Sequence, residues 1–183
     1  MKQFIVIICL GIAFASCNDA GTKESTGSDS TGTATKPAAE VTLPFKLEKP
    51  YRDWQAGSNE NVAAAMGALK AYVDKDFAEL GNLIGDSLQV RFDNYYATMS
   101  RDSAIKFFTS MRPQSNDLTI NMYDYESVIS ADKKDEYVTL WYKQTWKNEK
   151  GVADSLSIID DCKMKGGKMI ELDQHIQRYP VKK

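Results

Sequence analysis

The sequence predicts an α+β domain in which three N-terminal helices cover one face of a curved antiparallel sheet. Three observations carry this. The last third of the chain is a series of long β-rich runs joined by glycine turns at Glu149-Lys150-Gly151 and Lys165-Gly166-Gly167. Upstream, apolar residues recur at helical spacing in segments that begin with capping residues. One alternating stretch is interleaved with those segments, and the remaining strands follow as a meander.

The chain opens with Lys2, an apolar run from Phe4 to Phe14, and Ala15-Ser16 before Cys17. A positive start, a short apolar core and small residues before a break are the parts of a secretory signal peptide, here residues 1–16. The run is shorter than the roughly 20 residues needed to span a bilayer. Phe14-Ala15-Ser16-Cys17 resembles a bacterial lipobox. That resemblance implies cleavage before Cys17, diacylglyceryl attachment to its thiol and acylation of the new amine. Several acyl chains make a stable anchor. The chain is then a cell-envelope protein held at the membrane, on the periplasmic side or the cell surface. The alternative is a plain secreted protein with Cys17 free. With Cys9 in the leader and Cys17 acylated, Cys162 has no intramolecular partner and packs as a small hydrophobe.

Residues 17–50 begin as Ser, Thr, Gly, Ala and Asp with no aromatic, the composition of a flexible linker. Order is expected to begin between Val41 and Tyr51, with Tyr51 and Trp54 as a strap on the domain, residues 51–183. Ser58 caps a first helix from about Asn59 to Lys75, with Val62, Met66, Leu69 and Val73 as its stripe. Asp76 caps a second, carrying Phe77, Leu80, Leu83 and Ile84 and ended by Gly85-Asp86. Ser87 to Phe92 alternates polar and apolar and reads as a strand; Asn94-Tyr95-Tyr96 reads as loop. Ser100 starts a third helix with Ile105, Phe107, Phe108 and Met111, stopped by Pro113. Leu118 to about Ile129 is a further strand, Ala131 to Asp135 a turn, and the meander follows.

The balance of 23 basic and 25 acidic residues, net charge −2, argues against a nucleic-acid partner, which would want a clustered basic surface. Nine Tyr, seven Phe and three Trp supply a core. No metal-ligand spacing, phosphate-binding glycine loop or Ser-His-Asp arrangement is visible, and no cofactor is expected.

Side chains of a strand alternate between faces. Leu156, Ile158, Asp160, Cys162 and Met164 therefore share one face, and Asp160 is its lone acid. A carboxyl among apolar groups has a raised pKa and donates a hydrogen bond when protonated. Three roles are open to Asp160: a merely structural one, near the pocket mouth or bonded to a tyrosine or backbone group, ligand binding, or catalysis. On the preceding strand Val138, Leu140, Tyr142, Gln144 and Trp146 form the better pocket wall, which puts Trp141 on the outer face as an exposed aromatic. On the last strand Asp173 and His175 share one face; Ile170, Leu172, Gln174 and Ile176 share the other. A two-residue Gly166-Gly167 turn pairs Asp160 with Asp173 and Ile158 with His175, a polar cluster. A three-residue Lys165-Gly166-Gly167 loop pairs Cys162 with Ile170, Asp160 with Leu172 and Ile158 with Gln174. The second register is preferred because it sets apolar against apolar and sends Asp173 and His175 outward.

Four segments, in this order and spacing, carry a family resemblance: Ala71-Tyr72-Val73-Asp74-Lys75-Asp76-Phe77, Ile84-Gly85-Asp86-Ser87, the helix start at Ser100, and Gly166-Gly167-Lys168-Met169-Ile170. Over about Asn59 to Tyr179 the chain resembles the nuclear transport factor 2-like (cystatin-like) superfamily, which includes SnoaL-like polyketide cyclases, ketosteroid isomerase and scytalone dehydratase. It is most similar to SnoaL-like envelope lipoproteins. The resemblance implies a cone whose helices close one side of the sheet over an apolar pocket, and a homodimer through the outer face of the sheet. The isomerase's carboxylate base falls on Phe92, with Asp93 its neighbour; its first-helix tyrosine falls near Ala68; its oxyanion-hole aspartate falls on Asp160. A dehydratase-type site needs paired histidines, and this chain has one. The expected function is therefore non-catalytic binding of a small apolar ligand, or a scaffold role. The pocket is expected from Phe92, Leu140, Tyr142, Gln144, Trp146, Ile158, Asp160, Leu172 and Gln174. The alternatives are a cyclase, isomerase or dehydratase using Asp160, and an envelope interaction module using Trp141 and His175.

Overall fold

The computed structural model describes residues 44–46, 53–112, 116–148 and 150–178. The leader, Cys17, Tyr51, Pro113 and the linker apart from Pro44–Lys46 lie outside the described residues. Phe45–Lys183 is one compact unit.

Its elements are β1 (Gln55–Ala56), α1 (Asn59–Asp74), α2 (Phe77–Leu83), β2 (Ile84–Phe92), β3 (Tyr95–Ser100), α3 (Arg101–Met111), β4 (Asn116–Ile129), β5 (Glu136–Lys147), β6 (Ala153–Lys165) and β7 (Lys168–Arg178). The strands form one sheet in the order β1-β4-β5-β6-β7-β2-β3. All pairings are antiparallel except β2 with β7. The sheet curves without closing and α1 lies against β4, β5 and β7, so the architecture is the α+β cone.

The helix starts are capped as their sequences dictate. Ser58 Oγ accepts from the Asn61 N–H, Asp76 Oδ1 from the Glu79 N–H and Ser100 Oγ from the Ser103 N–H. The C-terminus of α1 has two devices. Lys75 turns into the left-handed region (φ 64°) and its N–H reaches back to Ala71 and Tyr72. The buried Arg112 guanidinium, at the end of α3, donates to the carbonyls of Tyr72 (3.2 Å) and Val73 (2.8 Å). A cation on the negative end of a helix is doubly favourable, since it satisfies orphan carbonyls and the dipole.

The structure departs from expectation in several places. The face of α1 turned to the sheet is Val62, Ala65, Ala68 and Ala71, rather than the Val62-Met66-Leu69-Val73 stripe. Alanines let the helix axis sit close to the sheet, and the larger residues flank the contact. Residues Tyr95 and Tyr96 belong to β3, which pairs with β2 across a two-residue Asp93-Asn94 turn. Asp93 has φ 44° there, a conformation that Asp and Asn tolerate. β2 begins at Ile84, directly after α2, so Gly85 lies in a strand; a Cβ on it would meet Ile170 Cγ2 at 2.9 Å. Trp54, before β1, packs edge-on against Tyr137 at 5.8 Å.

The β6–β7 hairpin resolves the register question with a third solution. Lys165 pairs with Lys168 across Gly166-Gly167, whose φ values of 58° and 74° suit a tight hairpin turn. The turn is therefore two residues, not the preferred three. A register shift between Lys163 and Met164 then inserts Ile170 as one extra residue in β7. Beyond that bulge Cys162 pairs with Leu172, Asp160 with Gln174 and Ile158 with Ile176. Met169, not Ile170, thus shares the inner face with Leu172. A one-residue slip exchanges the faces of a strand, and a bulge makes that slip locally. It reconciles the glycine turn with an inner face free of Asp173 and His175.

Candidate functional site

Inward-pointing side chains of β5 (Leu140, Tyr142, Gln144), β6 (Asp160, Cys162) and β7 (Met169, Leu172, Gln174) form one wall of a cavity of about 110 Å³. Phe92 continues that wall from β2. The opposite wall is helical: Ala65, Ala68, Leu69 and Tyr72 of α1, Leu80 of α2, Phe108 and Met111 of α3. Phe92, Gln144 and Gln174 on the sheet wall and Leu69, Tyr72 and Met111 on the helical wall are half-buried.

Asp160 is 4% exposed and is the buried acid at the centre of the sheet wall. Both its oxygens are engaged. Tyr142 Oη donates to Oδ2 at 2.7 Å, and Gln174 Nε2 donates to Oδ1 at 2.9 Å. Burial disfavours the carboxylate and pushes its pKa up to about 6, against the pull of the two hydrogen bonds and of nearby His175, which favour the ion. Tyr142, 1% exposed, is raised well above its ordinary value by burial, then by the Asp160 charge and hydrogen bond. Burial likewise pushes the Cys162 thiol up, followed by the charges of Asp160 and Asp161. A thiol held protonated is a poor nucleophile, so Cys162 is an apolar wall element. Tyr72 is raised by burial, with Arg112 pulling the other way.

Of the nine residues expected in the pocket, Phe92, Leu140, Tyr142, Gln144, Asp160, Leu172 and Gln174 line the cavity. Ile158 and Trp146 do not. Ile158 is 2% exposed inside the core, beside Tyr142 and Ile176 in register, and Trp146 packs half-buried against that core. Sharing a strand face with the cavity is not enough to reach it on a curved sheet. Asp173 and His175 lie on the outer face, where Asp173 pairs with Arg91 and His175 Nε2 stands 3.8 Å from Asp173 Oδ1. Trp141 is on that face but half-buried rather than exposed, in a cross-strand row with Ile159 and His175.

The isomerase correspondences fall unevenly. Phe92 lines the cavity without a carboxylate, and Asp93 sits in the β2–β3 turn outside the cavity wall. Ala68 lines the cavity, and one turn further along the same helix face Tyr72 lines it too. Tyr72 is the polar residue that sequence reasoning missed. Its signal was present: Ala65, Ala68, Leu69 and Tyr72 fall at i, i+3, i+4 and i+7, as regular a stripe as the bulkier one chosen. Among the described residues no group of three His, Cys, Asp or Glu could hold a metal ion.

No family model matches the sequence, and no curated protein does. Solved structures match the fold. A nuclear transport factor 2-like protein of unknown function from Burkholderia pseudomallei aligns with a TM-score of 0.54 at 9% identity, over 66% of this chain and 92% of that one. An LEH-like epoxide hydrolase of M. tuberculosis aligns with a TM-score of 0.52 at 12% identity, over 66% and 84%. A protein with a ketosteroid isomerase-like fold from Catenulispora acidiphila, in complex with trimethylamine, gives 0.50 at 10% identity, over 61% and 83%. At such identities the likeness is one of fold: the domain has the nuclear transport factor 2-like cone. Neighbours on this cone include an epoxide hydrolase, so the fold alone names no reaction.

Proposed function

We propose that the domain binds a small, largely apolar ligand in its cone without transforming it, and that Cys17 tethers it to the bacterial cell envelope through an acyl anchor. One observation supports the binding reading above others. Apart from Tyr72, Tyr142, Gln144, Asp160 and Gln174 the lining is apolar, and the one acid in it, Asp160, already has both oxygens hydrogen-bonded to Tyr142 and Gln174. A carboxylate so held orients a ligand; a general base has to reach a substrate proton within about 2.6–3.2 Å, and the position that carries the isomerase base is Phe92. Native mass spectrometry of protein taken from its own host membranes tests both halves. A co-purifying small molecule and an acylated N-terminal Cys17 are expected. An empty domain with an unmodified Cys17 would overturn them.

A second reading has its own observation. Tyr72 and Asp160 line the cavity from opposite walls, and a tyrosine hydroxyl together with a carboxyl in its protonated form stabilises a developing oxyanion. On this reading the protein is a cyclase, isomerase or dehydratase with Asp160 as the acid. Turnover of a cyclic ketone, abolished in Asp160→Asn and in Tyr72→Phe, would establish it.

For partners, we propose a homodimer through the outer face of the sheet. The row Trp141-Ile159-His175 supplies an apolar centre, with Ile159 37% exposed, flanked by Lys143 and the Arg91–Asp173 pair. The same row would serve an envelope partner protein.

A further inference from the structure

The sheet has two edges, and they are built differently. On one side β1 covers only Val128 and Ile129 of β4. The rest of that edge carries Asp117, Asp124 and Glu126 and is broken by a bulge at Tyr123. Charges and bulges keep an edge strand from taking on a further strand. The other edge is β3, which among the described residues pairs with β2 alone. Its sequence, Tyr95-Tyr96-Ala97-Thr98-Met99-Ser100, has no charge, proline or glycine, and its register is unbroken. Tyr95, Tyr96, Thr98 and Ser100 are exposed. The pairing with β2 fixes which backbone groups are free. The two-residue Asp93-Asn94 turn closes on Phe92 and Tyr95 as a hydrogen-bonded pair, and bonded pairs then alternate with open ones. Tyr95, Ala97 and Met99 therefore spend their N–H and C=O groups on Phe92, Val90 and Leu88. Those of Tyr96 and Thr98 point away from the sheet.

We propose that β3 pairs antiparallel with β3 of a second copy of this chain, across a twofold axis at Ala97. Residues directly opposite each other in an antiparallel pair share a face, so the axis passes through a residue. With the axis at Ala97, Tyr96 of each copy exchanges both backbone bonds with Thr98 of the other, four bonds in all. An axis at Tyr96 or at Thr98 would draw Asn94 of the turn or Ser100 of the helix cap into the ladder.

The side chains are self-complementary in this register. On the helix side of the sheet Tyr95 meets Met99 of the second copy, an aromatic ring against a thioether. Stacking on Phe107, with ring centroids 5.1 Å apart, already holds the Tyr95 ring. On the outer side Tyr96 stands opposite Thr98 of the second copy; Arg91 lies over its ring at 5.6 Å and its hydroxyl donates to Gln89. The strand ends agree with the direction. Asp93 precedes the strand, and Arg101, which donates to Asp86 and to the Gly85 carbonyl, follows it. Antiparallel pairing sets the acid of one copy level with the cation of the other; parallel pairing would set Asp93 against Asp93. An edge this short buries less than the roughly 1,200 Å² of a standard interface, so the contact is weak, with a dissociation constant on the order of 1 mM. It forms between copies held close together, as the membrane anchor proposed above would hold them.

The test is disulfide trapping in the full chain carrying Cys9→Ser and Cys17→Ser, at about 1 mM protein with oxidised glutathione as the oxidant. One cysteine is added at a time, as Tyr96→Cys, Ala97→Cys or Thr98→Cys. Only the central position faces itself across the axis, at the Cα separation of about 4.5 Å that a disulfide spans. Ala97→Cys is expected to cross-link into a dimer at least about tenfold faster than either neighbour. Adding Thr98→Pro removes an outward N–H and none of the bonds to β2, and should slow that cross-link at least about tenfold. Adding Trp141→Lys should leave the rate unchanged, which separates this edge from the outer face of the sheet. Equal rates at the three positions, or a faster rate at Tyr96→Cys or Thr98→Cys, would overturn the proposal. Should a variant fail to fold, NMR of the chain without an added cysteine decides. The amide signals of Tyr96 and Thr98 should move as the protein is concentrated from about 0.05 to about 1 mM; signals that stay fixed would overturn the pairing.

Discussion

Asp160 is the residue on which stability and the proposed ligand binding meet. Its carboxyl has a pKa of about 6 in the folded chain against an ordinary 3.8. The folded state therefore prefers the proton. Stability from this group is fully present below the unfolded value and is lost as pH rises through about 6. At about 1.4 kcal/mol per tenfold change in proton affinity, the loss amounts to about 3 kcal/mol. Urea titrations at pH 4, 6 and 8 should show this slope once the other carboxylates are allowed for. Asp160→Asn, with the Gln174 amide turned, keeps both hydrogen bonds and removes the buried charge. It should be more stable than the wild type by about 1–3 kcal/mol at pH 8 and flatter between pH 4 and 6. Tyr142→Phe should do the reverse, costing about 1–3 kcal/mol because a buried acceptor loses its donor. Asp160 itself was legible in the sequence, since strict alternation placed one acid among Leu156, Ile158, Cys162 and Met164. Gln174 and Tyr142 were legible as wall residues, but not as its two partners, because partnership depends on the pairing of three strands.

At the scale of elements, two joints hold the cavity open. Arg112 ties the end of α3 to the last turn of α1, the turn that carries Tyr72. Arg112→Ala should cost about 2 kcal/mol in urea unfolding, as charged hydrogen bonds to buried carbonyls are lost. Gly85 lets β2 lie against β7 where Ile170 bulges. Gly85→Ala places a methyl 2.9 Å from Ile170 Cγ2 and should cost about 2 kcal/mol by overpacking, read as a lowered Tm. Helix starts were legible because capping is local: Ser58, Asp76 and Ser100 do what their side chains dictate wherever the chain goes. The buried stripe of α1 was not. Bulk favoured Val62, Met66, Leu69 and Val73, whereas closeness to the sheet favours Ala65, Ala68 and Ala71, and closeness is a property of the partner surface. The bulge at Ile170 escaped for a similar reason. Two glycines specify a two-residue turn, and the apolar face demands a different register; the backbone meets both by an insertion that neither signal announces.

For the whole molecule, the proposed homodimer is a question of the outer face of the sheet. If the Trp141-Ile159-His175 row is the centre of a homodimer, sedimentation of the wild type gives a dimer. Trp141→Lys then gives a monomer with the domain's Tm unchanged within a few degrees; a wild-type monomer would refute the interface. The sequence by itself determined what depends on local chemistry and on period. Those are the capped helices, the alternating meander, the inward position of Asp160 and the outward position of Trp141. The tertiary structure alone decided what depends on curvature and pairing. It excludes Trp146 and Ile158 from the cavity, brings Tyr72 into it from the far wall, and sets Gln174 opposite Asp160 through one extra residue in β7. The physical reason is that a strand's faces follow from covalent geometry, whereas which residue of the next strand stands opposite, and how far a helix descends onto the sheet, are settled by the combined packing of every neighbour.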